Sequence, residues 1–339
     1  MTFDVTVIIP SYNTRALLQG CISSIYRYTE GVSFEVICVD GGSPDGSADM
    51  VAHEFPQVTL IRNASNESYA RSANQGIRRA RGRYACLLDS DTLLIENALG
   101  PLVRFMDDHP DAAACGLRLL NPDGSIQHHI RSFAGLQIFL LQALNWHKFF
   151  PKSKIMNRYY NTDFDYSKAQ VVQSIGTSAY MMRRSTWKEV GLLDERFRWA
   201  MPDLAYNYTL HKNGYKLYYS PCASVVHFGG QTANQDVLRS LREQCEGLID
   251  FSERYDYFGS SRWIKALVRL GVRTRYYSKV LGYYLSSDKR IIKGPGAPPK
   301  AVAAHLLRPE AQNVTSEHPG RAVPAFSQSD SEMSSLSSQ

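Results

Sequence analysis

The 339-residue chain has no apolar run approaching the ~20 residues that a membrane-spanning helix needs. Its N-terminus has no basic stretch ahead of an apolar one, so no secretory leader is expected. Cysteine is sparse. Cys21, Cys38, Cys86, Cys115, Cys222 and Cys245 are widely spaced and form no C-x-x-C pair, which argues against zinc and against a disulfide framework. Several lie in apolar runs, as in Val36-Ile37-Cys38-Val39, so buried free thiols in a reducing compartment are expected. The N-x-S/T triplets starting at Asn63, Asn66, Asn207 and Asn313 then read as chance matches in a cytoplasmic protein. An internal repeat is absent.

What is present is a core. Hydrophobic residues make up 44% of the chain, enough for one large α/β domain with appendages or two small domains. The formal net charge of +6 suits phosphate-bearing ligands or an anionic membrane surface. It would also suit nucleic acid, but no nucleic-acid-binding motif accompanies it, and no such partner is expected.

The first 120 residues alternate short apolar runs with helical patterns. Strands are predicted at Val5–Pro10, Phe34–Asp40, Val58–Asn63, Tyr84–Asp89 and Ala113–Leu119. Helices are predicted at Arg15–Tyr28, Ser47–Glu54 and Tyr69–Arg81. This alternation predicts a Rossmann-like, mostly parallel sheet flanked by helices, whose ligands bind at the carboxyl ends of the strands. Three of those ends are polar: Pro10-Ser11-Tyr12, Asp40-Gly41-Gly42-Ser43 and Asp89-Ser90-Asp91.

Asn121–Lys168 is aromatic-rich and reads as an insertion over that rim. Leu217–Tyr219 and Ala223–His227 read as two further strands, and Asp236–Phe258 as a helix broken near Gly247. Residues 1–260 are expected to form the main domain, with a nucleotide-binding half to residue 120 and an acceptor half from 121. Arg262–Lys293 carries nine Lys or Arg and one Asp, with Tyr276, Tyr277, Tyr283 and Tyr284. It reads as a basic amphipathic helix, either on a membrane surface or packed on the domain with a solvated basic face. Gly294–Gln339 has linker and Ser-rich composition and is expected to be disordered.

Two carboxylates one residue apart after an apolar strand suit Mn²⁺ or Mg²⁺ held together with substrate phosphate. Taken alone, Asp89-Ser90-Asp91 is equally a solvated turn capping a helix. The surrounding segments decide. Val7-Ile8-Ile9-Pro10-Ser11-Tyr12-Asn13, Val39-Asp40-Gly41-Gly42-Ser43-Pro44-Asp45-Gly46-Ser47, Asn66-Glu67-Ser68-Tyr69-Ala70, Ala73-Asn74-Gln75-Gly76-Ile77 and Leu87-Leu88-Asp89-Ser90-Asp91-Thr92 follow one another in order. Together they resemble the family-2 glycosyltransferases. Asn121-Pro122-Asp123-Gly124-Ser125, Gly191-Leu192-Leu193-Asp194-Glu195 and Val225-Val226-His227 extend the resemblance to about Val5–Gly230. The subgroup it is most similar to is the rhamnosyltransferase-like enzymes of bacterial surface-polysaccharide assembly.

The resemblance implies a GT-A fold and inverting transfer from a nucleoside-diphosphate sugar of UDP or dTDP type to a glycan or lipid-linked acceptor. It implies that Asp40 accepts from the imide N–H of the base, against a turn-forming role. Pro10 and Tyr12 would flank the nucleoside, or merely end the strand. Asn74 would face the donor cleft, or lie on a helix surface. Asp89 would lie near ribose and metal, Asp91 would bind the metal, and His227 would complete the metal site or be structural. Asp203 falls on the position of the catalytic base, but Pro202 and Ala205 stand where the family carries neighbouring acids. Arg131 would approach a phosphate or sit in a surface salt bridge, and His128 and His129 are expected to be exposed or acceptor-side. The altered acidic motif leaves a second reading, a non-catalytic nucleotide-sugar-binding relative. A nucleotidyltransferase is disfavoured because Pro10-Ser11-Tyr12-Asn13-Thr14 is not a Gly-rich basic loop. The enzyme would work in the cytoplasm, at the inner face of the cell membrane if Arg262–Lys293 docks there.

Overall fold

A computed structural model describes residues 3–143, 159–197 and 200–287. The elements, in chain order, are β1 (Val5–Ser11), α1 (Arg15–Tyr28), β2 (Phe34–Asp40), α2 (Ser47–Glu54), β3 (Thr59–Arg62), α3 (Tyr69–Arg79), β4 (Tyr84–Leu88), β5 (Thr92–Leu94), α4 (Leu99–Asp108) and β6 (Ala112–Leu120). There follow β7 (Ile130–Arg131), α5 (Leu136–Ala143), β8 (Gln170–Val172), β9 (Ser174–Ile175), β10 (Ala179–Arg183), α6 (Arg184–Val190), α7 (Pro202–Lys212), β11 (Lys216–His227), α8 (Val237–Arg254) and α9 (Arg262–Leu285). The tail expected from Gly294 lies outside the described residues.

All seven residues of β1 are buried, as its unalternated apolar sequence requires. Val5, Val7 and Ile9 pack with Leu18 and Ile22 of α1 and Leu102 of α4. Ile8 points the other way, into a cluster with Ala70, Ala73 and Ile77 of α3. Gly76 lets α3 approach this closely, since a Cβ there would lie 2.4 Å from Ile8 Cγ2. Ser68 caps α3 by accepting from Arg71 N at 3.1 Å.

The sheet begins β3-β2-β1-β4, all parallel. Register pairs Ser11 with Asp40, so the polar ends of β1 and β2 share one rim with the end of β4. Beyond β4 the sheet is mixed. β10 runs antiparallel between β4 and β6, while β11 runs parallel to β6 and antiparallel to β5 and β8. The two strands expected at Leu217–Tyr219 and Ala223–His227 are one strand, irregular between Ser220 and Ser224. Pro221 lies in that irregularity and has no N–H to give the ladder. β5 is short, yet its pairing with β11 sets His227 opposite Thr92, beside the Asp89-Ser90-Asp91 turn.

The break expected near Gly247 is absent: α8 is continuous through it. A Cβ at Gly247 would meet Ala200 O at 3.2 Å, so the glycine serves close packing. The long basic segment forms a helix over Arg262–Leu285. Val268 and Val272 of α9 pack against Phe139 of α5. Lys265 pairs with Asp256 at 2.6 Å, and Arg269 pairs with Glu253. Four cysteines are buried, Cys245 is partly covered and Cys222 is exposed; all six are free thiols. Among the described residues no helix is long and apolar enough to cross a membrane.

Candidate active site

Asp89 leaves the end of β4 with its amide bonded to Ser178 O at 3.2 Å. The Ser178 hydroxyl donates to Asp89 Oδ2 at 2.7 Å. Two residues on, Asp91 is buried, and its Oδ1 lies 3.3 Å from His227 Nε2. The same nitrogen is 3.6 Å from Asp89 Oδ2. One donor atom from each of Asp89, Asp91 and His227 lies within 4.8 Å of the others.

The electrostatics of this trio are costly without a cation. Burial pushes the Asp89 carboxyl up; His227 opposes that, and Asp91 adds to it. Burial would depress His227, but Asp91 and then Asp89 outweigh it and its pKa is raised. A divalent cation relieves the repulsion between the two carboxylates.

Gln127 orients the imidazole. Its side-chain N–H groups donate to Asn121 Oδ1 at 3.0 Å and to His227 O at 3.2 Å. Its oxygen is therefore turned toward His227 Nδ1, 2.7 Å away, and that nitrogen carries the proton. Nε2 is thereby the ring nitrogen that faces Asp89 and Asp91. Asn121 is held in turn through Ser125 and Asp123, at 2.9 and 2.6 Å.

On the same rim, Asp40 Oδ2 accepts from the amides of Gly42 and Ser43, each at 2.9 Å. The turn-forming role is real. Asp40 is nevertheless only 2% exposed, and its Oδ1 is buried with no hydrogen-bond partner among the described residues. A buried carboxylate oxygen left over in this way calls for a donor from outside the protein. Pro10 is buried within β1, in register with Val39, and Tyr12 stands half-buried just past the strand end. Thr14 Oγ1 lies 2.8 Å from Ser90 Oγ and 3.2 Å from Ser11 Oγ, a hydroxyl chain that ties the end of β1 to the carboxylate turn.

Asn74 departs from both expectations. It is neither on the helix surface nor open to the donor cleft, being 1% exposed. Its amide nitrogen donates to Leu193 O at 2.8 Å and Glu195 Oε1 at 2.9 Å, and its oxygen accepts from Leu193 N at 3.1 Å. The whole amide is spent on clamping α3 to the loop after α6.

Asp203 occupies the first turn of α7, behind Pro202 at the helix start. Met201, just before them, adopts a left-handed φ of 76°, a strained conformation for a residue with a side chain. Burial raises the Asp203 carboxyl; the Leu204 amide, donating at 2.8 Å, opposes this. Asp203 belongs to the same electrostatic neighbourhood as the trio, since its charge raises Asp89 further. Tyr69 links the two. Its hydroxyl donates to Thr177 Oγ1 at 3.1 Å, and burial, followed by the charge of Asp89 and then that of Asp203, raises its pKa.

Ala205 lies on the buried side of α7, packed with Phe197 and Phe251. A carboxylate there would sit in the core, so the missing acid follows from the packing. Arg131 stacks over Tyr160 at 5.5 Å and donates to Ile130 O, and no carboxylate pairs with it among the described residues. His128 is exposed. His129 is not: its ring lies by Tyr166 and Tyr219, and its Nε2 is sealed from solvent without a partner. The sequence marks neither Ser178 nor Gln127, and Tyr69 only as part of the Asn66–Ala70 segment, because each owes its place to contacts from distant parts of the chain.

Comparison with known proteins agrees with this geometry. The family model described as "Glycosyl transferase family 2" matches residues 6–190, more than half of the chain. An N-acetylglucosaminyl-diphospho-decaprenol L-rhamnosyltransferase of Mycobacterium tuberculosis (strain H37Rv) is 25% identical over 285 residues, covering 80% of this chain and 90% of its own. The minor teichoic acid biosynthesis protein GgaB of Bacillus subtilis (strain 168) is 32% identical over 111 residues, 32% of this chain and 12% of its own. The structure of a mannosyltransferase from Pyrobaculum calidifontis, in complex with GDP-Man and Mn²⁺, superposes with a TM-score of 0.51 at 16% identity. It covers 85% of this chain and 77% of that one, a likeness of fold. From its first strand to the helix that follows β10, the chain belongs to glycosyl transferase family 2: it is a glycosyltransferase with the GT-A fold.

Proposed function

We propose that this glycosyltransferase is metal-dependent and inverting, and moves a sugar, rhamnose in the first instance, from a UDP- or dTDP-type donor to a hydroxyl of a glycan or lipid-linked acceptor in cell-envelope polysaccharide assembly. The observation that carries the reading is the convergence of Asp89, Asp91 and His227, with the Asp203 carboxyl, raised by desolvation, in the same electrostatic neighbourhood. The donor sugar class rests on the relative from Mycobacterium tuberculosis.

Two carboxylates and a neutral imidazole form an O,O,N set that fits Mn²⁺ well and Mg²⁺ adequately. When bound, such an ion supplies positive charge against a departing diphosphate. Asp40 Oδ1 takes the imide N–H of the base, with Tyr12 beside the nucleoside. Asp203 accepts the proton of the acceptor hydroxyl as its oxygen bonds to the anomeric carbon. The bond from that carbon to the donor diphosphate breaks on the opposite face, so configuration inverts. One carboxylate suffices, which is why a proline at 202 and an alanine at 205 are compatible with activity. A binding-only relative would have no use for a carboxylate at 203.

The outer face of α9 supports placement at a membrane surface. Trp263, Leu267, Leu270, Tyr277, Leu281 and Tyr284 recur at helical spacing and are exposed, Trp263 at 75%. Lys265 and Arg269 are occupied by carboxylates, so this apolar stripe, flanked by Arg262 and Arg273, is the membrane-facing surface.

Activity is tested with Mn²⁺ or Mg²⁺ and a panel of UDP, dTDP and GDP sugars. Asp203→Asn abolishes transfer, about 10²–10⁴-fold, and leaves donor affinity nearly intact. Equal transfer by the variant removes Asp203 as the base. Sedimentation with anionic liposomes tests the surface. Trp263→Asp with Leu270→Asp releases the protein, and undiminished binding overturns the docking.

A further inference from the structure

The link between β9 and β10, Gly176-Thr177-Ser178, joins the two halves of the site. At one end the Ser178 hydroxyl donates to Asp89 Oδ2 at 2.7 Å, and the Ser178 carbonyl accepts from the Asp89 amide at 3.2 Å. At the other end Asn207, on α7 with Asp203, donates to Ile175 O at 2.8 Å. Ser174, at the start of β9, lines the same cavity as Asp203. The link therefore runs from the neighbourhood of Asp203 to the carboxylate turn, and both ends are held. Between them it borders open space: a Cβ added at Gly176 would meet no atom within 4 Å.

Thr177 stands in this span, half-buried, and Tyr69 reaches it from the first turn of α3. The Tyr69 ring packs against the cluster that contains Ile8, Ala70 and Ala73, which fixes where its hydroxyl lies. That hydroxyl donates to Thr177 Oγ1 at 3.1 Å. Asp89 and Asp203 both act on the phenol, so it lies within reach of both carboxylates.

Two hydroxyls bonded to each other keep one proton and several lone pairs for a third group. With Tyr69 as the donor, the remaining proton is that of Thr177, and it has no acceptor among the described residues. Tyr69 keeps its lone pairs. Side by side the two present one donor and one acceptor, the complement of two neighbouring hydroxyls on a sugar ring.

We infer that Tyr69 and Thr177 are specificity-determining residues for the donor: Thr177 donates to, and Tyr69 accepts from, adjacent ring hydroxyls of the transferred sugar, which holds its anomeric carbon between the Asp89 turn and Asp203. Such a pair discriminates among sugars, because a ring lacking one of the hydroxyls leaves a protein group unpaired. The assignment rests on the proposed nucleotide-sugar donor.

Calorimetric titration separates the sugar from the nucleotide. The full chain and its Tyr69→Phe, Thr177→Val and Thr177→Ser variants are titrated with Mn²⁺ present and no acceptor. The ligands are UDP, dTDP and GDP, and then UDP-glucose, dTDP-rhamnose and GDP-mannose. Tyr69→Phe and Thr177→Val are each expected to weaken the nucleotide sugar that the parent binds by about 3–10-fold, as loss of one hydrogen bond implies. The matching bare diphosphate binds as before, which also reports an intact fold. Thr177→Ser keeps the hydroxyl and keeps the parent affinity for both. Unchanged nucleotide-sugar affinity in Tyr69→Phe or in Thr177→Val overturns the inference and leaves the donor reading standing. Equal loss for diphosphate and nucleotide sugar also overturns it, by reducing the pair to a brace for the Asp89 turn. A loss in Thr177→Ser as large as in Thr177→Val does the same, by assigning the effect to the methyl group. A parent that binds the diphosphates and refuses all three nucleotide sugars overturns the inference alone. A parent that binds none of the six ligands sinks the donor reading itself, and the inference with it.

Discussion

Gln127 Oε1 accepts the Nδ1 proton of His227 at 2.7 Å, and this one contact decides which imidazole nitrogen faces Asp91. Without it the ring is free to rotate and to carry its proton on the wrong nitrogen. Gln127→Ala is expected to weaken Mn²⁺ binding about 10–100-fold, the usual range for loss of a ligand-orienting partner. Electron paramagnetic resonance of free Mn²⁺ during titration reads this without any substrate. An unchanged Kd would reduce Gln127 to a loop contact.

Asp40 combines a turn bond and an orphaned oxygen, and the two functions separate by substitution. Asn at this position keeps an acceptor for the Gly42 and Ser43 amides but presents N–H where the base would donate. Asp40→Asn is expected to weaken nucleoside-diphosphate binding about 10–100-fold, as losing a charge-assisted hydrogen bond implies. Titration calorimetry with UDP, dTDP and GDP measures it. Equal affinity for all three in parent and variant would leave Asp40 with the turn alone.

Asn74 makes the opposite case. Its three hydrogen bonds to Leu193 and Glu195 are internal, so Asn74→Ala should cost stability and not donor affinity. The expected loss is about 2–3 kcal/mol, because the backbone groups of Leu193 are left buried and unpaired. Urea unfolding measures the first quantity and nucleotide titration the second. A stable variant with impaired donor binding would restore Asn74 to the cleft.

His129 gives the fold an acid-sensitive point. Burial lowers its pKa from 6.5 to about 4, with the Gln127 carbonyl pulling weakly the other way. The unfolded chain therefore takes up this proton before the folded one does. Stability is full above pH 6.5 and falls as pH drops toward 4, by about 2–3 kcal/mol from this group. Urea midpoints at pH 7 and pH 4.5 should differ less in His129→Gln than in the parent. Parallel curves would show that the ring titrates as if exposed.

Much of the nucleotide-binding half is legible in the sequence because buried parallel strands have continuous apolar runs, and their polar ends mark the rim. β1, β2 and β4 begin within a residue of where periodicity places them. The insertion of antiparallel β10 between β4 and β6 leaves no such mark, since strand direction is not written in side-chain pattern. Gly247 was misleading because glycine signals both a break and a close approach, and only the neighbouring Ala200 carbonyl tells them apart. In α9 the mixture of cations and aromatics is legible, but which face turns inward depends on Phe139, far earlier in the chain. Gln127 is the clearest case: a glutamine in a loop carries no chemical signature until a histidine is folded against it.

The β5–β11 ladder has a consequence for how the protein is made. Asp89 and Asp91 leave the ribosome early, whereas His227 arrives with the last strand of the sheet. Until that strand zips against β6 and β5, a nascent chain presents two crowded carboxylates and no imidazole. The Asp89–Asp91–His227 trio is thus a late product of folding, completed by contacts of long sequence separation, which form slowly. A cation that recognises only the completed trio would act as a check on synthesis, stabilising finished chains over interrupted ones by mass action.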